Sequence, residues 1–491
     1  MHAPRPSDLS LFRYRVRDLI RRPPVVCEPD TPVVEVARRM LQERVGSLLV
    51  IADDGAPLGI ITDRDLRAKI VAEARDGAST RAAQIMSAPL VTVGLTAFAF
   101  EAVLEMTRRA IHHLVVLEDG RARGVLSSHD FMALQAAHPV GLAREITRAQ
   151  SLAELAGHAS QVTGLVRRLL DEGATAYDLG QLVSELNDRV VRRVLDLTTT
   201  ALDASGDPAP PVPFSWLVFG SEGRREQTLR TDQDNGLVYA DPPPELAAGV
   251  SAYYARFATG VVQGLQSVGF PACDGGFMAS NPQWCRPLGS WRDLLAGWMD
   301  NPSPEQVLGA CIVFDLRPLG GPTALTAALR DVLAAAPRAR HFLRLMAHDV
   351  AERRVPVTIF GNVAVLRRGA RRGRVDVKAA GSMQLAGAGR VHALELGVDT
   401  TNTIDRFREA GRREIYQDSQ VREITDAYQH LMRLRLVHQL GQLVRGEAPD
   451  NFVDPRTLSH ADGLLFRDAL KTVKGVQASI RERFATDLVP S

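Results

Sequence analysis

Lysine is nearly missing from this chain. Only Lys69, Lys378, Lys471 and Lys474 occur, and arginine supplies the rest of the 59 basic residues. None of the four stands in a Gly-x-x-x-x-Gly-Lys context, which excludes a P-loop ATPase, and no Gly-x-Gly-x-x-Gly opens a βαβ unit. Cysteine is scarce too. Cys27, Cys273, Cys285 and Cys311 form no Cys-x-x-Cys pair, so they suggest neither a zinc site nor a disulfide framework. No run of about 18 apolar residues exists, hence no transmembrane helix and no membrane partner. The basic stretch from Met1 to Arg22 lacks an apolar core and a small-residue cleavage site. It does not read as a secretory signal, and the cytoplasm is the expected location. Charge is almost balanced, 59 basic against 57 acidic residues, which argues against a nucleic-acid binder. What remains is ordinary globular composition, 45% hydrophobic and 24% charged, over 491 residues that should hold three or so domains.

The most informative segment joins a turn to two acids. A short apolar strand, Trp216 to Phe219, ends at Gly220-Ser221, and Asp232 and Asp234 follow eleven and thirteen residues after Ser221. Side chains two apart on a strand share a face, so the spacing predicts two carboxylates side by side. Such a pair is costly unless cations neutralise it, and hard divalent ions with oxygen ligands are its natural partners. Paired metals that clamp an in-line phosphoryl displacement need this arrangement. Backbone amides after Gly220 offer an anion site for the phosphates. The plain alternative is a strand–turn–strand unit with solvated aspartates.

The order Gly-Ser then Asp-x-Asp resembles the signature of the DNA polymerase β-type nucleotidyltransferases. The longer string from Gly220 to Asn235, which adds Arg224, Glu226 and Thr231, is similar to one branch of them. That branch is the bacterial signal-transduction nucleotidyltransferases, which resemble PII-protein uridylyltransferase and glutamine synthetase adenylyltransferase. The resemblance implies Asp232 and Asp234 as catalytic metal ligands for Mg2+ or Mn2+, with Gly220, Ser221 and Arg224 at the nucleotide. A two-metal site usually takes a third carboxylate. The run from Ile312 to Gly321 reads as an apolar strand carrying Asp315 and ending in a Gly-Gly turn, and it resembles the family's Asp-x-Arg segment. Asp315 is the choice for the third catalytic acid, with Arg317 paired to it or to a phosphate. An ordinary Asp–Arg ion pair is the other reading of that segment, and Asp274, in a Gly-rich turn, is the rival acid. Asp376-Val-Lys378 and the segment from Arg390 to Leu394 resemble parts of the family's helical substrate-binding domain. In a chain that uses arginine almost everywhere, Lys378 is a candidate point charge for a triphosphate, or a surface lysine.

The N-terminal part repeats itself. Residues 24–66 and 89–131 align at an offset of 65 without a gap, closing on Gly59-Ile-Ile-Thr62-Asp-Arg-Asp65 and Gly124-Val-Leu-Ser127-Ser-His-Asp130. Each half reads as a helix, a β-branched strand, an Asp-Gly turn, a second strand and a helix. This resembles the cystathionine-β-synthase (CBS) domain pair. The resemblance implies binding of a regulatory adenine nucleotide, AMP, ADP or ATP, through the hydroxyls of Thr62 and Ser127 and the carboxylates of Asp65 and Asp130. It also implies a homodimer through residues 15–135. Helix capping is the alternative use of a Thr-x-x-Asp pattern.

The expected architecture is therefore multidomain α/β and α. A tandem CBS pair covers 15–140, a helical bridge 141–205, a polymerase β-like α+β nucleotidyltransferase domain 206–325, and a helical substrate-binding domain 326–491. Trp284, Trp291 and Trp298 fall seven apart and read as packing, while Arg367 to Arg374 form a basic run that suits a solvated loop or an acidic partner. The expected activity is transfer of UMP or AMP from a nucleoside triphosphate to an acceptor protein, PII-like or another, under control of the CBS pair. Two alternatives stand beside it: a nucleotide-sensing scaffold without turnover, and a transferase acting on a small molecule.

Overall fold

Each N-terminal repeat folds as a three-stranded sheet with a main helix of 11 residues. In the first, β1 (Val26–Cys27) runs parallel to β2 (Ser47–Ile51), and β2 pairs antiparallel with β3 (Pro57–Thr62). Between β1 and β2, α1 (Val33–Glu43) turns Val33, Val36 and Met40 inward, the spacing of one helix face. Thr62 then caps the short α2 (Asp63–Leu66). The second repeat gives β4 (Thr92–Gly94), α3 (Ala99–Arg109), β5 (His113–Glu118) and β6 (Arg121–Ser127) in the same pattern. Leu48 faces Ile61 while Leu114 faces Leu126, so the strand pairing needs a one-residue gap in the turn that the gapless alignment lacked.

The computed structural model describes residues 14–20, 22–128, 130–131, 138–229, 232–358 and 362–489. They divide into two compact units, residues 1–145 with 171–173 and residues 146–170 with 174–491. Among the described residues no helix is long and apolar enough to cross a membrane.

The stretch expected to be helical forms α4 (His138–Arg148), α5 (Leu152–Asp171) and α6 (Ala176–Ala204), the last capped by the Thr175 hydroxyl. The Pro-rich segment after α6 delivers the chain to β7 (Phe214–Val218). A short helical turn, α7 (Gly220–Gly223), and β8 (Asn235–Tyr239) follow, then α8 (Ala247–Val268), β9 (Cys285–Pro287), α9 (Leu288–Asp300), α10 (Pro304–Val313) and β10 (Arg317–Gly320). The four strands make one sheet in the order β10-β7-β8-β9, antiparallel except for β8 with β9. Every residue of β8 is buried, the mark of a strand covered on both faces. The tryptophans serve packing: Trp291 and Trp298 are buried on α9, and Trp291 Nε1 donates to Leu237 O at 3.0 Å.

One element differs from expectation. In place of the strand expected from Ile312, the first two residues of that run end α10. Ser303-Pro304-Glu305-Gln306 is a capping box with proline at the first helical position, and it commits the apolar residues after it to a helix. Asp315 therefore sits in the turn between α10 and β10.

Beyond β10 come α11 (Thr323–Leu333) and α12 (Arg340–Glu352), an irregular stretch, then β11 (Val375–Asp376). The chain closes with α13 (Met383–Leu396), α14 (Thr403–Arg412), α15 (Asp418–Val444), β12 (Phe452–Val453) and α16 (His460–Phe484). Helices α12, α13, α15 and α16 pack on one another around Leu385, Leu431, Phe466 and Leu470, all fully buried.

Candidate functional site

The Gly-Ser turn and the two aspartates meet because the β7–β8 ladder continues past both strand ends. Val218 faces Asn235, and Phe219 N donates to Asp234 O at 2.9 Å. Gly220 has φ +52°, and a Cβ on it would stand 2.8 Å from Asp234 Oδ2. Only glycine allows so close a pass. Exposure alternates along the segment: Asp232 and Asp234 are half-buried on one side, Gln233 and Asn235 are about 1% exposed on the other. The inward pair is stitched to the following loop. Gln233 N donates to Pro271 O, Asn235 N to Phe277 O, and Asn235 Oδ1 accepts from Ala279 N at 2.8 Å. Thr231 of the motif lies outside the described residues.

That stitching brings in a residue the sequence reading passed over. Asp232, Asp234 and Cys273 each offer a ligand atom within 4.8 Å of the others, a group able to hold a metal ion. The Cys273-Asp274-Gly275-Gly276 turn carries the signal, a thiol next to the more conspicuous acid. Asp274 itself is exposed and outside the group. Burial and the charge of Asp232 push Asp234 up to about 6, against a hydrogen bond from Cys273 and the charges of Lys378 and Arg224. Burial, with Asp234 beside it, pushes the Cys273 thiol up to about 11. Lys378 is exposed, and its charge reaches Asp234.

Asp315 is not brought to the aspartate pair. It is fully buried and accepts from Arg224 Nη1 at 2.6 Å, Arg390 Nη2 at 2.6 Å and Nε at 3.0 Å, and Arg406 Nη1 at 2.7 Å. Burial alone would raise its carboxyl, but the three guanidiniums hold it well below the usual carboxylate range. Both oxygens are occupied by arginines, which leaves the expected third metal ligand a structural anchor. Arg224, expected at the nucleotide, gives its Nε to Glu226 at 2.7 Å and its Nη1 to Asp315. Glu226 in turn accepts from the Thr403 hydroxyl at 3.0 Å and the Tyr428 hydroxyl at 2.6 Å. Arg317 pairs with neither Asp315 nor an open site. It donates to both oxygens of Asp188 on α6 at 2.7 Å and to Glu222 O at 3.0 Å. A Cβ on Gly223 would meet Asp315 O at 1.9 Å, so this motif glycine is needed for packing. Glu222 is 3% exposed with Oε1 lacking a hydrogen-bond partner. Burial and the charge of Asp188 push it up to about 8.

The two CBS-like halves treat their acids differently. Asp65 is buried, accepts from Thr62 N, Thr62 Oγ1 and Ser87 Oγ at 2.7–2.9 Å, and pairs with Lys69 Nζ at 2.8 Å. Burial would raise it, but Lys69 and these donors hold it below its ordinary value. Here the capping alternative is the one built: Asp65 and Thr62 satisfy each other. Asp130 also accepts from Ser127 N and Oγ, both at 2.7 Å and both on Oδ2. Unlike Asp65, it opens onto a cleft of about 610 Å³ that Ser127, Arg22, Arg44, Asp63 and His113 also line.

Comparison with known proteins matches these parts. Residues 160–305 match the family described as "Putative nucleotidyltransferase DUF294". Residues 340–484 match the "Putative nucleotidyltransferase substrate binding domain". Residues 16–72 and 82–137 match the CBS domain. An uncharacterized protein of Methanopyrus kandleri is 31% identical over 121 residues, 24% of this chain and 62% of that protein. Inosine-5'-monophosphate dehydrogenase of Mycobacterium tuberculosis is 34% identical over 119 residues, 24% of this chain and 21% of the enzyme. This chain thus spans less than two thirds of the length of either. The solved structure of a CBS domain protein from Pyrobaculum aerophilum complexed with AMP is 30% identical, with a TM-score of 0.24. It covers 26% of this chain and 98% of its own.

Proposed function

With a tandem CBS pair, a nucleotidyltransferase domain and a helical substrate-binding domain as the premise, we propose that this protein is a metal-dependent transferase. It moves a nucleoside monophosphate, UMP or AMP, from its triphosphate to a signalling protein. The observation that carries this reading is the convergence of Asp232, Asp234 and Cys273 beneath Gly220, with the charge of Lys378 reaching Asp234. The fit to a divalent cation is good: three ligand atoms lie within 4.8 Å of one another, two of them from carboxylates. Asp232 and Asp234 would hold it, while the Cys273 thiol, protonated and hydrogen-bonded to Asp234, orients that carboxylate. What Mg2+ or Mn2+ supplies when bound is polarisation of a phosphoryl oxygen and a lowered pKa for the attacking hydroxyl.

The chain's own residues do the rest. Gly220 and Ser221 bring backbone against the phosphates at the end of β7. Lys378 offers a cation to the triphosphate without competing for the carboxylates as a ligand would. The Asp315–Arg224–Glu226 cluster holds the turn and the helical domain in fixed relation, and such positioning is a large part of phosphoryl-transfer catalysis. The CBS pair binds an adenine nucleotide in the Asp130 cleft, where Arg22, Arg44 and His113 face the phosphates, and it joins two copies of the chain.

The test is transfer of label from α-phosphate-labelled UTP or ATP, with magnesium or manganese, to protein in a lysate of the source cells. Label should appear on a discrete acceptor and pyrophosphate should be released in equal amount. Undiminished transfer by the Asp232→Asn/Asp234→Asn double variant would overturn the reading.

A further inference from the structure

The helical domain contains a cleft of about 700 Å³, the size of a ligand site. Its lining includes Arg353, Arg354, Arg367 and Arg374, against one carboxylate, Asp376. Asp349 holds Arg353, and the charge of Arg374 reaches Glu447 and Asp454. Arg354 and Arg367 are exposed and make no ion pair among the described residues. Arg368 and Arg372, on the same arginine-rich stretch as Arg367 and Arg374, are exposed as well.

Two further features describe the occupant. Gln384 lines the cleft, is 2% exposed, and gives its Nε2 to Ala379 O at 2.8 Å, but its Oε1 is buried with no partner. A buried acceptor left unpaired is costly, and a donor arriving in the cleft relieves that cost. Val365 and Leu366, at 39% and 44% exposure, add apolar surface to the lining. The cleft also borders the transfer site: Asp376, Ala379 and Ala380 line it, and the intervening Lys378 reaches Asp234.

We propose that this cleft binds an acidic, extended segment of the acceptor protein. Its carboxylates pair with Arg354 and Arg367, an apolar side chain rests on Val365 and Leu366, and a backbone N–H donates to Gln384 Oε1. The inference rests on the reading of the protein as a transferase with a protein acceptor, and it names the chemistry of that acceptor.

Fluorescence anisotropy on the full chain tests it, using a labelled peptide of alternating glutamate and leucine and a second peptide with glutamine in place of glutamate. The glutamate peptide should bind at least about tenfold tighter, and added salt should weaken it. Arg354→Glu/Arg367→Glu, at exposed positions and with an unchanged thermal midpoint, should lose that preference, and Gln384→Leu should weaken both peptides. Equal binding of the two peptides, an unaffected charge-reversal variant, or stronger binding of citrate than of the glutamate peptide would overturn the proposal. Binding is measured in the Asp232→Asn/Asp234→Asn background without nucleotide, so its result stands apart from turnover. Peptide binding with no label transfer in the unsubstituted chain would sink the transferase reading alone; transfer without peptide binding would sink the cleft alone.

Discussion

Gly220 and Asp234 are separated by less than a methyl group's room: a Cβ at position 220 would lie 2.8 Å from Asp234 Oδ2. The glycine of the motif therefore sets where the carboxylate points as well as the shape of the turn.

Gly220→Ala should fold and lose activity. A non-glycine residue at φ +52° costs about 1–2 kcal/mol, and the methyl displaces the Asp234 carboxylate. Transfer should fall by roughly a hundredfold, the scale of a misplaced reacting group. Turnover per folded molecule, with circular dichroism on the same sample, checks it.

Asp315→Asn should act on stability. The change strips Arg224, Arg390 and Arg406 of their shared carboxylate, and breaking a buried ion pair costs about 3–5 kcal/mol. Because folding depresses the Asp315 pKa, its contribution is full above the ordinary carboxylate range and is lost as pH falls below it. The thermal midpoint should drop while the metal concentration for half-maximal activity stays put. A large rise in that concentration would return Asp315 to the metal site.

Glu222→Gln should stabilise the protein at alkaline pH. The folded-state pKa is raised to about 8, so between the ordinary glutamate value and pH 8 the native state binds a proton that the unfolded chain has released. Stability then falls as pH rises through that window, by up to about 1.4 kcal/mol per pH unit from this group, and levels off above pH 8. A glutamine side chain there carries no charge to bury and removes the slope. Thermal midpoints of both proteins from pH 5 to pH 9 provide the measurement, about four units spanning the transition.

Asp130→Ala should weaken adenine-nucleotide binding, and Asp65→Ala should not. Asp130 borders an open cleft, whereas Asp65 is consumed by Thr62, Ser87 and Lys69. Losing a charged acceptor costs about 1.5–3 kcal/mol of binding. Calorimetric titration of AMP, ADP and ATP into the full-length variants separates the two; equal losses would mean that both repeats bind.

The sequence made the fold readable wherever local pattern and local structure coincide. The repeat, the strand into Gly220-Ser221 and the alternation through Asp232 and Asp234 all depend on neighbours within a few residues. Part of the candidate site was legible in the same way: the two-residue spacing of Asp232 and Asp234 puts both on one side of the segment, beside Gly220. Asp315 was not. Its partners Arg390 and Arg406 lie 75 and 91 residues farther on, and no periodicity links them to it. The same holds for Arg317 with Asp188, 129 residues back. Cys273 was missed because its role comes from backbone bonds that fold the Pro271–Ala279 loop onto the Asp-Gln-Asp-Asn segment. The strand predicted from Ile312 failed for the opposite reason: a nearby cap, Ser303 with Gln306, outweighed β-branched residues at the helix end.

The arginine cluster around Asp315 and Glu226 also bears on how the aspartate pair is reached. Arg390, Arg406, Thr403 and Tyr428 belong to the helical domain, and their partners Asp315 and Glu226 to the sheet domain. Swinging these domains apart like a jaw would strand several buried charges at once, each at a cost of kcal/mol. Access to the Asp232–Asp234 pair therefore runs through gaps between side chains and loops, with the two lobes bolted at their centre.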